Sequence, residues 1–164
     1  MADPPPHRRL VLLRHAKSAW PVGVPDPHRP LNERGRRDAP AAGRWLREYV
    51  DVLGAVVCSP ARRTRETWAL VAAELDDPPA PTVDERIYAA PPDALLTVVR
   101  DLPDDAATAL LIGHNPGVAE LVDLLSGEDP EMRTASIAVL SWDGRWADAA
   151  ANVAELSDHV TPRG

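Results

Sequence analysis

Apolar positions in this chain follow two rhythms. Leu10-Val11-Leu12-Leu13, the segment from Val52 to Cys58 and the run from Thr108 to Ile112 are short and nearly unbroken. That is the pattern of strands buried on both faces. Between them, apolar residues return every three or four positions, as on one face of a helix. Ala39, Ala42, Trp45 and Leu46 mark a helix that opens at Asn32 or Glu33 and runs through Tyr49, with Pro40 as a point of bending or a later start. Trp68, Val71, Ala72 and Leu75 mark a second over Arg62 to Leu75. Leu95, Val98 and Val99 mark a third over Pro91 to Leu102. A fourth spans Pro116 to Leu125, with its proline suited to a first turn. Thr82-Val83 is a brief extended piece. Ala135 to Trp142 and Trp146 to Val153 flank Asp143-Gly144, which predicts a hairpin. Strands alternate with helices up to this hairpin. The expected fold is therefore α/β: a three-layer α/β/α sandwich whose sheet is mainly parallel with an antiparallel edge.

Length and charge narrow the picture. The chain has 164 residues, enough for one domain with a sizeable core. Residues 1–9 are rich in proline and polar side chains and read as a flexible N-terminal tail. Residues 10–156 form the expected single domain, and residues 157–164 a flexible C-terminal tail. A net charge of −7 argues against general nucleic-acid binding. No apolar run is long enough to span a membrane, and Leu10 to Leu13 is too short for a signal-peptide core. Cys58 is the single cysteine, so no intrachain disulfide is possible. The default expectation is a cytoplasmic protein.

Chemistry collects at three equivalent places. Arg14-His15 follows the first strand, Ser59-Pro60 with Arg62-Arg63 follows the second, and Gly113-His114-Asn115 follows the third. Open α/β sheets bind ligands outside the carboxyl ends of their strands, so these clusters converge on one edge. Arginines offer forked donors to phosphoryl oxygens, and a neutral imidazole offers a nucleophilic nitrogen. No acidic cluster lies nearby to hold Mg²⁺, so no metal or organic cofactor is expected.

These residues resemble a known family. Leu13-Arg14-His15-Ala16 is similar to the Arg-His-Gly signature of the histidine phosphatase superfamily, with Ala16 in place of glycine as in its SixA-like branch. Leu31-Asn32-Glu33-Arg34-Gly35 resembles the family's Leu-Thr-x-x-Gly segment. The run from Ser59 to Thr67 resembles its Ser-Pro-x-x-Arg-x-x-Gln-Thr segment, with Arg63 rather than Arg62 at the phosphate-clamping position. Gly113-His114-Asn115-Pro116 resembles the segment with the second histidine. Arg86-Ile87-Tyr88-Ala89-Ala90 and the short length resemble the SixA-type phosphohistidine phosphatases and the phosphoglycerate mutase-like fold.

The resemblance implies that His15 takes the phosphoryl group while Arg14, Arg63 and His114 hold its oxygens. Lys17 and Ser18 stand as candidates at the pocket mouth. Glu85 is the expected leaving-group acid, with Asp26 and Glu33 as rivals. The implied partner is a phosphorylated protein carrying phosphohistidine, or a small phosphorylated substrate. Other readings are a metabolite phosphatase or mutase and a non-catalytic phosphoprotein-binding module. A cysteine phosphatase would need arginine six positions after Cys58, where Thr64 stands. A nucleotide-binding protein would need a glycine-rich phosphate loop, and the sequence has none.

Overall fold

Successive residues of a strand point to opposite faces, and the first apolar run uses both. The computed structural model describes residues 3–164 and sets this run in the middle of a sheet. Strand β1 (His7–Arg14) leads to helix α1 (Glu33–Tyr49), β2 (Ala55–Cys58), α2 (Arg62–Ala72) and the short β3 (Thr82–Val83). Helix α3 (Pro92–Arg100), β4 (Thr108–Gly113), α4 (Gly117–Ser126), β5 (Ile137–Asp143) and β6 (Glu155–Val160) follow. The described residues form a six-stranded sheet in the order β3-β2-β4-β1-β5-β6. Strands β3, β2, β4 and β1 run parallel, while β5 and β6 add an antiparallel edge. This is the α/β sandwich that the two rhythms predict.

Leu10 and Leu12 join the layer containing Leu95, Val99 and Leu121, from α3 and α4. Val11 and Leu13 join Ala42, Leu46, Trp68 and Val71, from α1 and α2. All four strand residues are fully buried, and each such burial contributes roughly 1.5–3 kcal/mol. No helix among the described residues is long and apolar enough to cross a membrane.

Helix α1 starts where the Asn32 side chain accepts the Gly35 amide at 2.9 Å. It passes through Pro40 without ending, because Ala39, Ala42 and Leu46 on either side of the proline are all buried. Gly35 is required by close approach, since a Cβ there would collide with the carbonyl of Lys17. The start of α1 therefore lies directly against the loop that follows β1.

Two expectations are corrected. The expected hairpin about Asp143-Gly144 does not form, because the chain turns inward after Gly144. Trp146 is fully buried and donates its indole N–H to the Ala106 carbonyl at 2.8 Å. The strand partnering β5 comes later, with Val160 opposite Ile137. The tails are also shorter than expected. Met1 and Ala2 lie outside the described residues, but β1 begins at His7, and buried Arg8 donates to the Ala106 carbonyl at 2.7 Å. At the other end, Ser157 to Val160 belong to β6, and Arg163 reaches the buried carboxylate of Asp38 at 3.0 Å.

Candidate active site

Strands β1, β4 and β2 are neighbours, so the segments leaving their carboxyl ends emerge side by side. The amide of His15 donates to the Gly113 carbonyl at 3.1 Å, and that of Ser59 to the Ile112 carbonyl at 3.2 Å. These bonds extend the ladder one residue and bring His15, Ser59 and His114 together. Arg14, His15, Arg63 and His114 share the wall of one pocket of about 250 Å3. The four residues that the sequence singled out do gather.

His15 is buried, and its Nδ1 donates to the Ala16 carbonyl at 2.7 Å. With that nitrogen protonated, Nε2 carries the free lone pair. Burial pushes the His15 pKa down to about 3; His114, Arg63 and Arg14 lower it further, while the Ala16 bond opposes them. The ring is therefore a neutral base at ordinary pH. Ala16 is itself anchored, because its amide donates to Thr67 Oγ1 at 3.1 Å. The Thr67 hydroxyl in turn donates a hydrogen bond to the Arg63 carbonyl at 2.7 Å.

Arg14 is oriented by the Met132 carbonyl at 3.2 Å. Arg63 donates to the backbone oxygen of Asp26 at 2.8 Å and to its carboxylate at 3.1 Å. Among the described residues, the buried side-chain polar atoms without a hydrogen-bond partner are Nε of Arg14 and Nε of Arg63. Unpartnered buried donors are costly, so two in one pocket mark a place prepared for an anion.

The His114 ring lies 5.3 Å from that of His15 between centroids. Burial first, then Arg63, pushes its pKa down to about 4. Its Nε2 lies 2.7 Å from Ser59 Oγ, and its Nδ1 faces Arg63 Nη2 at 3.3 Å. A guanidinium can only donate, so Nδ1 accepts from Arg63 and the proton of neutral His114 sits on Nε2, which donates to the Ser59 hydroxyl.

Other predicted residues lie further out. Lys17 is exposed on the rim. Ser18 is also in the wall, but its hydroxyl accepts from Arg29 at 2.7 Å. Glu85 is exposed and lines a separate depression with Pro27, Pro60 and Tyr88, so the fold does not bring it into the His15 pocket. Glu33 is exposed in the first turn of α1. Asp26 contacts Arg63, Arg29 and the hydroxyl of Tyr88. The Tyr88 bond first, then those of Arg63 and Arg29, hold its carboxyl down to about 2 against the opposing effect of burial. An acid so firmly ionised suits holding arginines better than giving up a proton.

Sequence reasoning missed Arg29, Trp20 and Tyr88. Arg29 is buried in the wall, and Tyr88 meets the His114 ring edge-on at 5.6 Å. A buried arginine just ahead of a helix is visible only as Arg-Pro in a loop, which carries no spacing signal. Cys58 is buried, and burial pushes its thiol up to about 11. Among the described residues, no three His, Cys, Asp or Glu side chains group as metal ligands. The pocket opens into a shallower groove of about 760 Å3 that shares Arg14, Lys17 and Asn115 with it.

Residues 10–88 match the model of the histidine phosphatase superfamily, branch 1. The chain is 38% identical over 162 residues to the uncharacterized protein MT1313 of Mycobacterium tuberculosis (strain CDC 1551 / Oshkosh), spanning 92% of this chain and all of that one. Its fold matches a structure named "Putative Phosphohistidine Phosphatase SixA" from Nakamurella multipartitia with a TM-score of 0.85 and 36% identity, covering 98% of this chain and 99% of that one. A structure of the protein histidine phosphatase SixA complexed with tungstate shares the fold, with a TM-score of 0.82 and 23% identity over 94% of this chain and 97% of that one.

Proposed function

The chain belongs to the histidine phosphatase superfamily, among its SixA-type members, and from that membership we propose that it removes the phosphoryl group from phosphohistidine on a protein, with His15 as nucleophile. The observation that carries this reading is the bond from His15 Nδ1 to the Ala16 carbonyl, which leaves Nε2 unprotonated in a pocket walled by Arg14 and Arg63.

The lone pair of Nε2 attacks phosphorus in line. A bond forms between Nε2 and phosphorus as the bond to the leaving nitrogen breaks, and the leaving imidazole keeps the electron pair and takes a proton from solvent. Water then attacks the phosphohistidine, releasing phosphate and returning Nε2 to its neutral state. Arg14, Arg63 and His114 stabilise the oxygens through both steps, and the fixed positions of these donors lower the reorganisation needed at the transition state. The positive charge is supplied by side chains of the chain itself.

Two features favour a protein substrate. The pocket mouth opens into a broad groove, which admits a side chain presented by a folded partner. Imidazole also leaves more readily than an alkoxide, which needs a well-placed acid. Among the described residues, no carboxylic acid lines the pocket wall, and Asp26 beside it is held ionised. The test is kcat/KM on a phosphohistidine-bearing protein against phosphoglycerate and a phosphoserine peptide. The phosphohistidine protein is expected to be the best substrate. A higher value on phosphoglycerate, or exchange between phosphoglycerates, overturns the substrate reading.

A further inference from the structure

Trp20 is 78% exposed, yet it forms part of the wall of the His15 pocket. It is the one large apolar side chain among the described residues lining that pocket. An exposed indole is free to move unless something holds it. Here the guanidinium of Arg29 lies 3.5 Å from the ring centroid. Arg29 is itself only 6% exposed and is fixed by Asp26 Oδ1 at 3.1 Å, Ser18 Oγ at 2.7 Å and the Ala19 carbonyl at 3.1 Å. A cation stacked on one face orders the ring and leaves most of its surface free.

From this geometry we infer that Trp20 is a specificity-determining residue, a stacking platform for a planar leaving group. The inference rests on the proposed use of His15 as nucleophile. A phosphoryl group between Nε2, Arg14 and Arg63 must direct its leaving group away from Nε2, toward the mouth where Trp20 stands. A flat ring there can stack on the indole, as aromatic pairs prefer. Ammonia or an alkyl group cannot. The pocket would thereby favour imidazole, the leaving group of phosphohistidine, over leaving groups with no π-face.

The test uses three small substrates on the intact protein. Phosphoimidazole and phosphoramidate both break a P–N bond but differ in the planarity of the leaving group, and p-nitrophenyl phosphate is planar with a P–O bond. Trp20→Ala is expected to lower kcat/KM about tenfold on the two planar substrates, the size of one aromatic stack lost by truncation. Phosphoramidate is expected to change by less than about twofold, within the range of non-specific surface effects. Trp20→Phe should restore most of the loss. An equal fall on all three substrates shows that Trp20 acts only by holding Arg29, and an unchanged kcat/KM shows that it does nothing; either result overturns the platform. A wild-type enzyme that hydrolyses p-nitrophenyl phosphate but not a phosphohistidine protein defeats the physiological reading alone. The ratio of p-nitrophenyl phosphate to phosphoramidate still decides the role of Trp20.

Discussion

Thr67 Oγ1 accepts the amide of Ala16 at 3.1 Å, which ties the second turn of helix α2 to the residue whose carbonyl holds the His15 ring. Both groups are buried. Thr67→Val keeps the shape but leaves that amide without a partner, at a cost of about 1–3 kcal/mol. The variant is expected to show a lower urea midpoint and a lower kcat, because the ring it indirectly orients is less well fixed. Thr67→Ser keeps the acceptor and should recover both. A Thr67→Val variant with wild-type stability and turnover would remove Thr67 from the account.

The two depressed histidines set a pH dependence whose sign is definite. His15 stands at about 3 and His114 at about 4 in the folded chain, both below the ordinary histidine value. As pH falls below about 6.5, the unfolded chain takes up protons that the folded chain refuses, so stability present above that pH is lost. The urea midpoint should drop between neutral pH and pH near 5, and the drop should be smaller in His114→Gln. In the free enzyme, neither ring should titrate over that range by NMR. A midpoint near 6.5 for His15 contradicts its burial as a neutral base.

Adjacent arginines offer a sharp contrast. The side chain of Arg63 is 7% exposed in the pocket wall, whereas Arg62 is 52% exposed and pairs with Glu66 one turn on. Arg63→Ala is expected to lower kcat by about 10²- to 10³-fold, the scale of losing one preorganised donor to a transition state. Arg62→Ala should leave turnover within about twofold, as for a surface ion pair of small worth. Steady-state kinetics of the two variants check this, and a reversed order would place the clamp on the wrong residue.

Cys58 completes β2 inside the core, and burial raises its pKa to about 11. Iodoacetamide applied to the folded protein is expected to leave activity intact, because little thiolate is present and access is closed. Loss of activity that tracks alkylation of Cys58, with the fold preserved, would point to thiol chemistry instead.

The sequence made the layers legible because β1 and β4 are continuous apolar runs, buried on both faces. The gathering of Arg14, His15, Arg63 and His114 was legible for a related reason. Each follows a strand of this kind closely, so strand order alone brings them to one edge. The strand after β5 was misplaced because local turn residues at Asp143-Gly144 were outweighed by the burial of Trp146, a tertiary effect. Arg29 and Tyr88 were missed because they come from a loop and a short turn that the fold, not the spacing, carries to the pocket. Glu85 was favoured by position along the chain, yet the short turn it occupies faces a different depression.

The central claim is that His15 Nε2 carries the phosphoryl group between two half-reactions. It is tested most directly by rapid quenching of turnover with phosphoramidate under alkaline conditions, followed by mapping of the phosphorylated site by mass spectrometry. The predicted result is one phosphoryl group per chain, on the peptide containing His15 and attached at Nε2. It should be absent from His15→Ala, whose turnover should fall by several orders of magnitude, on the scale of losing a nucleophile. Label on another residue, or undiminished turnover in a folded His15→Ala variant, would contradict it.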